Sequence, residues 1–101
     1  MKFSIDFDGT LVHRTGIPTS SDVWNDKPKK GAIATLKLLK DFYIFTNRPK
    51  SEFNLIRLWL LENGYTKKVL ITNKKQKGTT VYLDDRAVRF TNWNDFRKLY
   101  I

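Results

Sequence analysis

Asp6 and Asp8 stand two residues apart, where the apolar stretch from Lys2 to Phe7 runs out into Gly9-Thr10. On a β-strand, side chains repeat direction every two residues, so both carboxylates would face the same way. Like charges held that close repel strongly unless a cation lies between them or one carries a proton. A second acidic pair, Asp84-Asp85, follows the apolar run Val81-Tyr82-Leu83, and a polar turn, Thr46-Asn47-Arg48, follows Phe42-Tyr43-Ile44-Phe45. These groups suit chemistry at phosphorus.

Each group has a candidate role. Asp6 is a candidate nucleophile toward phosphorus. Asp8 could protonate a leaving oxygen and then activate water. Thr46 and the Asn47 amide could hydrogen-bond phosphoryl oxygens, with Gly9 and Thr10 beside them. Arg48 and Arg86 flank the same place and could either bind phosphate or pair with the aspartates. A lysine of the run Lys74-Lys75-Gln76-Lys77 would neutralise developing charge. Spacing to Asp84 favours Lys75, with Lys74 and Lys77 as alternatives. An all-oxygen set of this kind suits Mg²⁺. The expected ligands are the Asp6 side chain, the Asp8 backbone carbonyl and Asp84, with Asp85 next to them or on a metal-bound water.

The elements that must position these residues are legible as hydrophobic patterns. Strands are expected at Lys2–Phe7, Phe42–Phe45, Val69–Ile71 and Val81–Leu83, with Val88–Phe90 as a short fifth. Ile33, Leu36 and Leu39 fall at helical spacing between Lys29 and Lys40. A second helix carries Phe53, Ile56, Trp59 and Leu60, capped by Ser51 and ended by Asn63-Gly64; a third, closing helix spans Asn92 to Tyr100. Residues 10–30, rich in turn formers, read as a flap. Strands alternating with helices imply an α/β fold: a mostly parallel sheet of about five strands with helices on both faces. Ligands of such sheets bind at the carboxyl ends of the strands. Every polar group named above follows a strand there.

The chain has 101 residues and fits a single domain, residues 1–101. It has no cysteine, which excludes disulfides, cysteine-ligated metals and a cysteine nucleophile. No apolar run reaches the roughly 18 residues a membrane span needs, and no signal-peptide pattern follows Met1, so the expectation is a soluble cytoplasmic protein without a membrane partner. The net charge is +9, from 19 Lys and Arg against 10 Asp and Glu. Four of those acids are the clustered aspartates, so the remaining surface is more basic still and favours phosphorylated or polyanionic partners. Trp24, beside Lys27, Lys29 and Lys30, and the flap's His13 and Arg14 are weaker candidates for substrate contact.

The ordered set of Asp6-x-Asp8-Gly9-Thr10, Thr46-Asn47-Arg48, a lysine and Asp84-Asp85, each after an expected strand, resembles the haloacid dehalogenase superfamily of phosphotransferases. The resemblance covers residues 4–86 and implies a three-layer Rossmann-like core, Mg²⁺ and an aspartyl-phosphate intermediate. An aspartate at position 8 resembles the phosphatase branches. With only residues 10–30 in the first cap position, the resemblance implies a nearly capless, open site. Such sites take large substrates, or small ones enclosed by a homo-oligomer partner. The Asp84-Asp85-Arg86 run resembles small hydrolases of bacteria and phages and also polynucleotide 3′-phosphatase domains. The expected activity is therefore hydrolysis of a phosphomonoester, on a small molecule or a nucleic-acid end. A polyanion-binding protein that keeps the metal site without turnover is the alternative from another class.

Overall fold

The computed structural model describes residues 1–13 and 26–101. The central element is a four-stranded sheet of β1 (Phe3–Asp6), β2 (Phe42–Phe45), β3 (Ile71–Thr72) and β4 (Val81–Leu83), in the order β3-β2-β1-β4. All its pairings are parallel. Among the described residues three α-helices accompany it: α1 (Ala32–Leu38), α2 (Phe53–Glu62) and α3 (Trp93–Tyr100). The α/β class and the parallel sheet thus agree with the sequence pattern. The fifth strand does not form: Val88–Phe90 is exposed, and no strand of the sheet pairs with it.

Alternation along the strands separates two faces. Ile5, Ile44 and Ile71 point into the core, where they join Leu36 of α1 and Ile56, Trp59 and Leu60 of α2. Phe7 adds an edge-to-face contact with Trp59 at 5.1 Å between ring centroids. Local chemistry sets the helix limits. Gly31, at φ 83°, precedes the seven-residue α1, which is shorter than the periodic pattern. The expected Ser51 cap is not used, because a 3₁₀ turn over Lys50–Glu52 leads into α2 and no side chain caps it. Asn63-Gly64 does end α2: Gly64 takes φ 96°, and the Tyr65 amide donates back to the Leu60 carbonyl at 2.8 Å.

Among the described residues, α1 and α2 both pack on this core face and no helix packs on the opposite face, contrary to the expectation of helices on both sides. Ser4 and Tyr43 point to it, and the connection from β3 to β4 crosses it as irregular chain. Tyr43 holds that crossing: its hydroxyl pairs with Thr79 Oγ1 at 2.8 Å and accepts from the Gln76 amide at 3.2 Å. Burial alone would raise the Tyr43 pKa, but hydrogen bonds with Ser4, Thr79 and Gln76, and the charge of Lys2, bring it below the ordinary phenol value. The third helix forms as expected, with the Asn92 side chain accepting from the Asp95 amide at 2.9 Å. It does not close the fold, since every residue from Tyr82 to Ile101 is exposed. No helix among the described residues is long and apolar enough to cross a membrane.

Tyr43 thus ties the position of β4, and of the aspartates after it, to the sheet centre. Replacing Tyr43 by Phe removes the hydrogen bonds of its hydroxyl with Ser4, Thr79 and Gln76 and leaves the Gln76 amide without its acceptor, at an expected cost of about 1–3 kcal/mol. Urea unfolding of the two proteins measures it.

Candidate functional site

Because all four strands are parallel, Asp6, Thr46, Thr72 and Asp84 arrive at one edge of the sheet. Ile5 pairs with Leu83, so Asp84 lies beside Asp6 one step further along the two strands. Carboxylate oxygens of Asp6, Asp84 and Asp85 all fall within 4.8 Å of one another. Asp6 is nearly buried, at 9% exposure, whereas Asp84 and Asp85 are open to solvent. Three oxygens from three carboxylates, grouped this closely, fit a hard divalent cation with several of its own waters. The expected ligands Asp6, Asp84 and Asp85 are therefore together.

The Asp8 side chain is outside that group. Its two oxygens accept from Arg48 Nε at 3.0 Å and Nη2 at 2.9 Å, a bidentate pair. Arg48 Nη1 also donates to Glu52 at 3.0 Å. Hydrogen bonding to Asp8, opposed by burial and aided by Glu52, holds the Arg48 pKa above its ordinary value. Of the two roles open to Arg48, the structure shows the pairing with an aspartate. Glu52 was missed by the sequence reading, although its position four residues after Arg48 on an incipient helix was a usable signal.

Thr46 is buried, and its Oγ1 accepts from the Arg48 amide at 3.1 Å. Its hydroxyl hydrogen remains for a second partner. Asn47 is exposed at the same edge. Gly9, at φ 83°, lies directly under the Asp85 carboxylate, and a Cβ at this position would collide with Asp85 Oδ2. Its place in the site is thus to leave room for Asp85. Thr10 departs from expectation. Its hydroxyl is buried without a hydrogen-bond partner among the described residues, and its side chain lines a groove beside α1.

The turn after Asp8 is fixed by the Phe7 carbonyl, which accepts from the Leu11 amide at 3.0 Å, and by isolated bridges of Val12 to Asp8 and Pro28. Those contacts belong to the near ends of the expected flap. Trp59 Nε1 reaches across to the Asp26 carbonyl at 2.9 Å. His13 is exposed, and Arg14 and Trp24 lie outside the described residues.

The crossing segment separates the three lysines. Lys74 follows β3 at the site edge, with its amide donating to Thr72 Oγ1 at 3.1 Å. Lys75 Nζ lies 5.2 Å from the Tyr82 ring centroid. Tyr82 shares a strand face with Asp84, roughly 7 Å away along β4. Lys77 is at the far end of the sheet, where its carbonyl accepts from Lys2 Nζ at 3.3 Å. Arg86 is placed by its amide, which donates to Asp84 Oδ1 at 2.8 Å.

The class these features define is an α/β protein with an acidic cluster at the carboxyl edge of a parallel sheet. Compared with protein-family models, curated proteins and solved structures, the chain gives no significant match.

Three substitutions at two positions probe this geometry. Gly9→Ala forces a side chain into a left-handed backbone position and displaces Asp85, with an expected loss of about 1–3 kcal/mol by thermal unfolding. Arg48→Met leaves Asp8 and Glu52 facing each other without their shared cation, an expected loss of about 2–4 kcal/mol. Arg48→Lys should recover only part of it, because a lysine cannot reproduce the bidentate fork.

Proposed function

We propose that this chain is a Mg²⁺-dependent phosphatase that hydrolyses a phosphomonoester through a phosphorylated Asp6. The observation that carries this reading is the meeting of Asp6, Asp84 and Asp85 within 4.8 Å at the carboxyl edge of the sheet. The ordered motifs that resemble the haloacid dehalogenase phosphatases add to it. In the first step an Asp6 oxygen attacks phosphorus and the bond to the leaving oxygen breaks; Asp8, once protonated and released from its bidentate pair with Arg48, gives that oxygen a proton. In the second step Asp8 takes a proton from water, whose oxygen attacks phosphorus and releases inorganic phosphate and free Asp6. Thr46 and the Asn47 amide orient the phosphoryl oxygens, and Lys75, with Lys74 as the alternative, offsets their charge. Mg²⁺ held by Asp6 and Asp84 would polarise the phosphoryl group and screen the carboxylates from one another.

The exposed position of Asp84 and Asp85 suits a large substrate as well as a small one. Together with the net charge of +9, it favours a phosphorylated nucleic-acid end as the second reading.

Hydrolysis of an aryl phosphate should require Mg²⁺, and Asp6→Asn should reduce kcat by about 10³-fold or more. Mg²⁺ should also raise the melting temperature of the unaltered protein and not that of Asp84→Asn. Turnover that survives chelation and Asp6→Asn overturns the proposal. A metal-induced shift without turnover on any phosphorylated metabolite or oligonucleotide leaves a binding protein. Salt-sensitive preference for a 3′-phosphorylated oligonucleotide over the free nucleotide selects the second reading.

A further inference from the structure

A lysine stands ahead of every strand of the sheet: Lys2 before β1, Lys40 before β2, Lys67 and Lys68 before β3, and Lys77 before β4. In the segments that lead into the strands, residues 1–2, 39–41, 63–70 and 73–80, Asp41 is the one acid. Because the strands are all parallel, these lysines collect at the amino edge, as the aspartates collect at the carboxyl edge. The two edges are about 16 Å apart, from Asp41 to Thr46 along β2 at about 3.3 Å per residue.

The order of the strands brings several of these cations together. β2 and β3 are neighbours, so the turn after α1 and the connection after α2 run side by side into them. Between them lies a hollow of about 390 Å³ lined by Lys37, Lys40, Lys67 and Lys68, with Phe42 in its wall. A second hollow, of about 190 Å³, shares Lys67 and Lys68 and extends the basic lining to Arg57. No carboxylate lines either one. Lys2 continues the row on the other side, its Nζ donating to the Lys77 carbonyl at 3.3 Å. Among the described residues, none of these cations pairs with a carboxylate. The negative end of the α1 dipole accounts for Lys37, in its last turn, and not for Lys67, Lys68 or Arg57. A merely solvated surface intersperses the two signs.

We infer that this amino edge is a track for the phosphodiester backbone of a single-stranded nucleic acid, separate from the acidic cluster. Like charges gathered around a hollow repel, and a polyanion laid along them removes that repulsion. Lysine meets phosphate as a point charge on a flexible stem, which suits a backbone held without regard to sequence. The shape favours a strand over other anions. The row crosses strands spaced about 4.8 Å apart, roughly 14 Å from β3 to β4, which is longer than one phosphate group. Two adjoining hollows accept an extended chain, whereas a membrane surface calls for cations on a flat or raised face. Phe42 is partly exposed between the lysines and gives an unstacked base an apolar contact that a duplex would withhold. The inference does not rest on the phosphatase reading: it concerns the other edge of the sheet, and its test involves no turnover.

Fluorescence anisotropy with a labelled thymidine oligonucleotide that has no terminal phosphate, in the presence of a chelator, tests the track apart from the acidic cluster. Binding should be measurable at low salt, and the logarithm of the affinity should fall with that of salt at a slope of about −3, for about four phosphates contacted. Lys67→Gln with Lys68→Gln, and Lys37→Gln with Lys40→Gln, should each weaken binding about 10-fold and make the slope shallower by about 1.4. All four side chains are exposed, so thermal unfolding should stay nearly unchanged. Arg97→Gln with Lys98→Gln on α3 removes the same charge elsewhere and should weaken binding less than about 2-fold. Absence of binding at low salt overturns the inference, and so do lysine variants that bind as the unaltered protein does. Equal weakening by the α3 variant overturns it in favour of net charge alone. Tripolyphosphate that binds as tightly as the oligonucleotide overturns it in favour of a small-anion pocket. Binding to phosphatidylserine vesicles without binding to the oligonucleotide overturns it in favour of a membrane surface.

Discussion

Parallel pairing of four short strands is the constraint on which the rest of the molecule depends. Each strand ends at the same edge, so whatever residue follows it is delivered to one place. The register of β1 with β4 sets Asp84 beside Asp6. The register of β1 with β2 sets Thr46 one step past Phe45, beside Phe7. Three carboxylates at one edge repel, and a fold ordinarily avoids that arrangement. Here the repulsion is built into the register itself, because moving any strand by one residue would also turn its core side chains outward.

Around that edge the supporting contacts divide between the two faces of the sheet. On the core face, Phe7 and Trp59 tie the turn after β1 to α2, and Trp59 extends the tie to Asp26. Arg48 then fixes Asp8 apart from the other three aspartates through a bidentate pair anchored by Glu52. The two members of the Asp6-x-Asp8 pair consequently sit in different electrostatic settings: one among carboxylates, the other on a guanidinium. On the opposite face a single buried phenol holds an eight-residue crossing in place of a helix. The last helix is exposed along its whole length.

Much of the fold was readable because the local signals agreed with one another. The strand Phe42–Phe45 and the strand Val81–Leu83 have the limits their apolar runs suggest. The Asn63-Gly64 stop and the Asn92 cap also follow from residue type. Misreadings fell where one residue carried several meanings. Ser51 looks like a helix cap, but the chain first makes a 3₁₀ turn after Pro49. Val88-Arg89-Phe90 has β-forming residues, yet a strand exists only if a neighbour pairs with it, and none does in the sheet. Gly9 was legible as a turn residue, whereas its closeness to Asp85, 76 positions on, was not.

The sequence alone determined the ingredients: which residues could bind a cation or phosphate, their order, and the strands that carry them. Periodicity and residue chemistry are local properties, and they survive without knowledge of the fold. Tertiary structure decided the partnerships, sending Arg48 to Asp8, Lys77 to the far end of the sheet and Thr10 into a groove. It also left α3 extended, because helix propensity forms a helix but only complementary surface elsewhere gives it a place to pack.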